Sequence, residues 1–380
     1  MTFLLEIMVW LSLLGLGYIF VGYPLLVWLC AKRSPRNLLK QSAPRSLSIV
    51  IVAHNESKNL PRKLASLFSC AKSEWITEIL IGSDGSTDDT VSMVRAYPDS
   101  RVRVVEFSYR RGKPAVLNEL VPQCQGDFVL FADARQEFDA NCLERLLENF
   151  ADSGVGVVSG ELVLRSQPGE TTAAQGIGFY WKYEKFIRKQ ESRFRGVPGA
   201  TGACYVLRKH LFQPIPDQTI LDDVAIPMQA VIRGYYCLFE PGAMIFDDPS
   251  RSTKQESIRK RRTIAGAAQL VRLFPRWVWP FANPLWLEFV SHKLLRLTSP
   301  LLLLLLLTAN LALLSLPVYR ILLVAQVVFY VAAAAGWICQ CVGRRVACCG
   351  PPLMFLTLNV TTMLALWDAL RCRYRVTWQK

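Results

Sequence analysis

Carboxylates and cations gather at a few points of the 380-residue chain. The acids are Glu56 in VAHNES, Asp84 in SDGSTDD, Asp133 in DAR and the adjacent pair Asp222 and Asp223 in ILDD; the cations are Lys113 in RRGKPAVLN and Arg262 in RKRRTIAG. Two neighbouring carboxylates oppose each other's ionisation, so one of them holds a proton more tightly than an isolated acid. A lysine or arginine can offset a diphosphate, and a lone carboxylate offers a divalent cation a hard oxygen. Gly85 permits a sharp turn after Asp84, while Ser86, as an N-cap with Asp89 three residues on, reads as the start of a helix.

These groups need a scaffold, and the pattern around them supplies one. LSIVIVA at 47–53 is a short apolar, β-branched run of the kind buried on both faces of a sheet. EILIGS at 78–83, VRVVEF at 102–107 and DFVLFAD at 127–133 repeat it, with helical spacing between them at 59–70, from 87 and at 114–120. Alternating strands and helices predict an α/β fold with a mostly parallel sheet. HNES, SDGSTDD and DAR each follow a strand directly, which brings them to one crevice beyond the carboxyl ends of the sheet. GVGVVSG at 154–160 lacks dinucleotide-binding spacing and runs into a strand pattern.

The remainder of the chain is apolar. Hydrophobic residues make up 52% and charged residues 19%, with 44 Lys plus Arg against 30 Asp plus Glu, a net charge of +14. That composition excludes a disordered chain and points to lipid. Residues 3–29 carry a single charge, Glu6, and are long enough to cross a bilayer; runs at 300–316, 321–342 and 351–370 are three further spans. Lys32, Arg33, Arg36, Lys40 and Arg45 follow the first span, so the positive-inside rule assigns the polar region to the cytoplasm. Arg344 and Arg345 agree, whereas Arg371, Arg373, Arg375 and Lys380 do not. Aromatic and basic stretches at 276–297 and 177–187 suit the membrane interface. The basic excess is explained by anionic lipid, without nucleic acid. Eleven scattered cysteines read as thiols in a reducing compartment, and Cys339, Cys341, Cys348 and Cys349 as structural. The expected organisation is a transmembrane helix at 1–31, a cytoplasmic domain at 32–275, an interfacial segment at 276–298, about three membrane helices at 299–370 and a basic tail at 371–380.

In this order, the clusters resemble the membrane-bound members of glycosyltransferase family 2, the group of the cellulose, hyaluronan and poly-N-acetylglucosamine synthases. The resemblance runs from residue 47 to about 275. It implies a GT-A (nucleotide-diphospho-sugar transferase) fold, a nucleotide-sugar donor and inversion at the anomeric carbon. Ala53 and Glu56 fall where the family contacts the nucleotide base, with His54 in place of an aromatic residue, and Asp84 on the acid that binds uridine. Lys113 and Asn118 match G-K-x-x-A-L-N. Asp133 is the first acid of the metal-binding D-x-D, implying Mg²⁺ or Mn²⁺, with Arg135 in place of the second acid. Arg135 could contact phosphate or pair with Glu137 or Asp139. Thr201 and Gly202 match the acceptor-side T-G, Asp223 the general base beside Asp222, and Arg262 the arginine that stabilises the departing diphosphate. Thr263 replaces a tryptophan that serves long-polymer synthesis.

The expected activity is transfer of a sugar, from a UDP-linked donor, to a saccharide or lipid-linked acceptor at a bacterial plasma membrane, with polysaccharide assembly proteins as possible partners. A processive, exporting synthase and a non-catalytic donor-binding subunit are the alternatives.

Overall fold

The computed structural model describes residues 2–165, 172–248, 253–342 and 346–371. Arg344, Arg345 and the basic tail from 372 lie outside them. Strands β1 (Leu47–Ala53), β2 (Ile76–Asp84), β3 (Val102–Phe107) and β4 (Phe128–Ala132) occupy the expected runs. They are joined by β5 (Glu137–Phe138), β6 (Val155–Leu164), β7 (Cys204–Arg208) and β8 (Tyr236–Asp247) in one sheet ordered β3-β2-β1-β4-β7-β6-β8-β5.

The half that carries the motifs, β3-β2-β1-β4, is parallel. Beyond it the sheet is mixed: β7 runs antiparallel to β4 and β6, β6 is parallel to β8, and β5 is antiparallel to β8. Four of the seven pairings are parallel, so the expected mostly parallel sheet is a parallel half continued by a mixed one. The cause is β7, and at the far edge β5, which run antiparallel to their neighbours while β6 and β8 keep the direction of β4.

The period-two geometry of the strands divides the core. Ile49 and Ile51 face one side and pack with Leu60, Leu64 and Leu67 of helix α3 and with Leu143 and Leu146 of α6. Val50 and Val52 face the other, with Val116, Leu117 and Leu120 of α5 and Val224, Ala225 and Met228 of α8. Each such side chain withdrawn from water contributes about 1.5–3 kcal/mol. These helices run over Leu60–Phe68 (α3), Lys113–Gln123 (α5), Cys142–Leu147 (α6) and Asp222–Ile232 (α8), with α4 at Thr90–Arg95. Helix α4 starts later than expected and without Ser86 as its cap. Asp88 Oδ1 instead accepts from the Thr90 N–H at 3.0 Å, while Ser86 Oγ accepts from the Asn55 N–H at 3.1 Å.

Among the described residues, four helices are long and apolar enough to cross a membrane. The first runs Thr2–Arg33, as α1 (Thr2–Gly17) and α2 (Tyr23–Arg33) joined through a π turn. The second, Trp286–Ala312, comprises α10 (Trp286–Glu288) and α11 (Leu295–Ala312); α12 (Pro317–Cys341) and α13 (Gly350–Leu370) follow. Leu11, Leu14, Ile321, Val328 and Val331 are exposed on their outer faces, as lipid contact requires. Two further long helices are α7 (Thr172–Phe194), which packs on β8, and α9 (Thr253–Leu273), which packs on α13.

The second of the four apolar helices begins inside the stretch expected to lie in the interface. His292, in that stretch, is buried against α7, with ring nitrogens 2.8 Å from Glu191 Oε1 and 2.9 Å from Glu184 Oε2. Arg296 also pairs with Glu184, and the Tyr23 hydroxyl donates to Glu191. These contacts fasten the second apolar helix and the first to α7 of the α/β domain.

Candidate active site

The site is built from the carboxyl ends of β1, β2 and β4, the first turns of α5 and α8, and the flanks of α7 and α9. At its centre is the Lys113 ammonium, 3.0 Å from Asp133 Oδ1 and 3.2 Å from Asp222 Oδ2, with its side chain 9% exposed. Burial alone depresses this group, but Asp133 and Asp222 outweigh it and hold the lysine pKa above its ordinary value. Lys113 is the first residue of α5, directly after Gly112.

Asp84 makes that turn. Its buried carboxylate accepts from the Arg111 N–H at 2.6 Å and the Gly112 N–H at 3.0 Å, while its carbonyl oxygen lies 2.8 Å from His54 Nδ1. Gly85, at φ +62°, passes so close to Tyr109 and Arg110 that a Cβ would lie 2.8 Å from the Arg110 nitrogen. Asp84 therefore holds the lysine-bearing loop, whatever else it touches. Ala53 ends β1 fully buried, and the Glu56 carboxylate accepts from Asn59, three residues further along at the entry to α3. Asn118, one turn into α5, bonds Ile215 in both directions at 2.7 and 3.0 Å and ties α5 to the 212–221 loop.

Asp223 is at the start of α8, beside Asp222. Its Oδ2 accepts from the Gly202 N–H at 3.2 Å, and its Oδ1 has no hydrogen-bond partner among the described residues. A side chain at 202 would crowd this contact, since a Cβ there would lie 3.0 Å from Asp223 Oδ2. Burial, and next the Asp222 charge, raise the Asp223 carboxyl to about 6. Thr201 is held through its hydroxyl, which accepts from Arg188 Nη1 at 2.7 Å, and through its N–H, donated to Ser159 Oγ at 2.8 Å. Arg262, on α9, lies within electrostatic reach of Asp222, Asp223 and Asp133. Its neighbour Arg261 forms a two-pronged pair with Asp368 of α13, one arm at 2.7 Å, which fixes α9 against the membrane helices. Thr263 is exposed, and its hydroxyl bonds back to the Arg259 carbonyl at 3.0 Å.

Arg135 adopts neither expected arrangement. Its Nη2 donates to Asp247 Oδ2 at 2.6 Å, and Gln136 Nε2 donates to the same oxygen at 3.0 Å. Antiparallel pairing of Glu137 with Phe246 carries the end of β8 alongside 135 and 136. Glu137 is already engaged with Arg62 and Arg165. The groups that sequence reasoning missed are thus Asp247, Ser159 and Arg188. None has a local motif; a buried serine in a strand and an arginine in an aromatic helix carry no signal of their own.

For a divalent ion, the protein offers Asp133, whose side chain is 31% exposed. Among the described residues no group of three His, Cys, Asp or Glu converges as a self-sufficient metal site. A single hard carboxylate still fits an ion of the Mg²⁺ type, which keeps water and substrate phosphates as its other ligands.

Residues 48–215 match the model of the glycosyl transferase family 2. The chain is 24% identical to the poly-beta-1,6-N-acetyl-D-glucosamine synthase of Staphylococcus aureus (strain COL) over 203 residues, 52% of this chain and 48% of the relative. It is 24% identical to the enzyme of that name from Staphylococcus epidermidis over 217 residues, 55% of this chain and 52% of the relative. The chain therefore spans about half the length of the curated relatives it matches. Among solved structures it resembles the mannosyltransferase PcManGT from Pyrobaculum calidifontis, solved with GDP-Man and Mn²⁺, at a TM-score of 0.70 and 21% identity, covering 96% of this chain and 99% of that one. That likeness shows the fold, which is GT-A. With its motifs in register along the parallel half-sheet, the segment 48–215 matches the family model as a glycosyl transferase family 2 domain, on a GT-A fold.

Proposed function

We propose that the protein is an inverting transferase of the membrane, taking a sugar from a UDP-linked donor on the cytoplasmic side and passing it to a saccharide or lipid-linked acceptor. The observation that carries this is Asp223: a partly buried carboxylate with one oxygen anchored by the Gly202 N–H, the other without a hydrogen-bond partner among the described residues, and the cations Lys113 and Arg262 beside it. A general base needs such a free oxygen within hydrogen-bond reach of the attacking hydroxyl. With its pKa raised to about 6, Asp223 is ionised at neutral pH and still basic enough to accept the proton.

The other residues act around that step. Lys113 and Arg262 meet the donor diphosphate, Arg262 taking the charge that develops on the leaving group, a contribution of about 3 kcal/mol for a well-placed donor. Asp222 and Asp133 hold Lys113 in position. Thr201 and Gly202 line the acceptor side, with Arg188 behind them. Glu56, Ala53 and Asp84 frame the nucleotide end. Asp133 would hold Mg²⁺ or Mn²⁺, which supplies further charge neutralisation at the diphosphate when bound.

The names of the relatives support a sugar polymer as acceptor or product, and the four apolar helices support a membrane location. The test is transfer by the purified full chain from a panel that includes UDP-N-acetylglucosamine and GDP-mannose. Transfer from a UDP-sugar that disappears in Asp223→Asn upholds the reading. Transfer from GDP-mannose alone overturns the donor, and unchanged transfer in Asp223→Asn overturns the base.

A further inference from the structure

Away from these acids, a pocket of about 190 Å³ opens where the catalytic domain meets two membrane helices. Its polar wall is Arg36 and Arg195, and its apolar and aromatic lining includes Tyr235, Tyr236, Pro284 and Leu285. Arg36 follows the end of the first membrane helix at Arg33, and Pro284 shortly precedes the second, which starts at Trp286. The pocket is thus bracketed by the ends of two spans, at the depth where headgroups lie.

The charge in this pocket is only partly balanced locally, by Glu288 beside Arg195. Arg36 stacks on Tyr236, its guanidinium carbon 3.3 Å from the ring centroid, and Nη1 donates to the Arg195 carbonyl at 3.2 Å. Among the described residues no carboxylate comes within ion-pair distance of Arg36; Asp152 acts on it only from farther off. Arg195 donates to the Pro284 carbonyl, and its nearest acid is Glu288, at 3.9 Å. Each guanidinium has five N–H donors and no acceptor, and each uses one of them on a backbone carbonyl here. Two like charges are held side by side above an apolar and aromatic floor with most of their donors unassigned, an arrangement that an anion with several acceptor oxygens would complete.

We infer that this pocket binds a phosphate group at the membrane surface, with the phosphodiester of an anionic glycerophospholipid as the ligand that also satisfies its apolar floor. Arg36 and Arg195 grip the phosphate oxygens, and the glycerol and acyl ends lie over Tyr235, Pro284 and Leu285.

Native mass spectrometry of the full chain in detergent tests this, with phosphatidylglycerol, phosphatidylcholine and inorganic phosphate as probes. The expected result is retention of phosphatidylglycerol that Arg36→Ala weakens about tenfold to a hundredfold, the loss of one or two charge-assisted hydrogen bonds, and that Arg36→Lys weakens less. Arg195→Ala should act in the same direction; Arg36→Ala, which removes a group at the edge of the fold, decides the matter should the other variant fail to fold. Failure of millimolar phosphate to displace the lipid identifies the lipid as the source, whereas full displacement identifies a free phosphate. Equal retention in wild type and Arg36→Ala, or equal retention of phosphatidylcholine and phosphatidylglycerol, overturns the inference.

Discussion

Replacing Asp222 by asparagine separates the two acids at the start of α8 and tests which of them is the base. Asp223 sits at about 6 because burial acts first and the Asp222 charge second, with Lys113 pulling the other way. Two unit charges about 6 Å apart at an effective dielectric of about 20 repel by roughly 2.8 kcal/mol, at most about 2 pKa units. Lys113, 3.2 Å from Asp222, already neutralises part of that charge, so a shift of about one to one and a half units is expected. The burial contribution survives the substitution, which keeps Asp223 above an exposed aspartate. The assay is kcat/KM for UDP release against pH, from about 4.5 to 8, where the acid limb reports the free-enzyme base. A base must be deprotonated to act, so activity falls as pH drops through its pKa. Wild type should lose activity below about 6, and Asp222→Asn should stay active about one unit lower. An acid limb that does not move refutes the coupling between the two carboxylates. Loss of all activity in Asp222→Asn, with Asp223→Asn still active, would exchange their roles.

Asp223→Asn should abolish transfer while calorimetry finds UDP affinity within a few-fold of wild type, because a base acting on the acceptor contributes little to donor binding. Asp84→Ala removes the acceptor of two backbone N–H groups of the Lys113 loop; UDP affinity should fall by about 1.5–3 kcal/mol, and unchanged affinity in a folded variant would detach that loop from the donor. Arg135→Met leaves the Asp247 charge, on a side chain 2% exposed, with Gln136 as its remaining partner. It should cost about 3 kcal/mol and lower the unfolding temperature, most of which Arg135→Met/Asp247→Asn restores. A cysteine at exposed Ser100, in a chain without Cys341, Cys348 and Cys372, should resist an impermeant maleimide applied to intact cells; ready labelling would reverse the proposed topology.

The order of β1, β2, β3 and β4, the position of a polar cluster at the end of each and the existence of four apolar spans were all readable from the sequence. They depend on local periodicity and run length, which neighbouring residues set among themselves. The candidate base was readable only through its register with the other clusters, since two adjacent aspartates at a helix start otherwise read as an ordinary exposed turn. What lay beyond the sequence depends on contacts between distant segments. The reverse entry of β7 made the sheet mixed, and the pairing of β5 with β8 set Asp247 against Arg135, 112 residues away. The sequence left Arg135 between a phosphate and two nearby acids, because local spacing cannot register an acid brought in by a strand from the far end of the domain. Glu184, Arg188 and Glu191 share one face of α7 at helical spacing. Only the placement of α7 between the turn at 289–294, which joins α10 to α11, and the Thr201 loop showed that Glu184 and Glu191 hold His292 while Arg188 holds Thr201. Periodicity fixes which residues share a face; which surface that face meets is decided by the free energy of burying it, and that is a property of the whole fold.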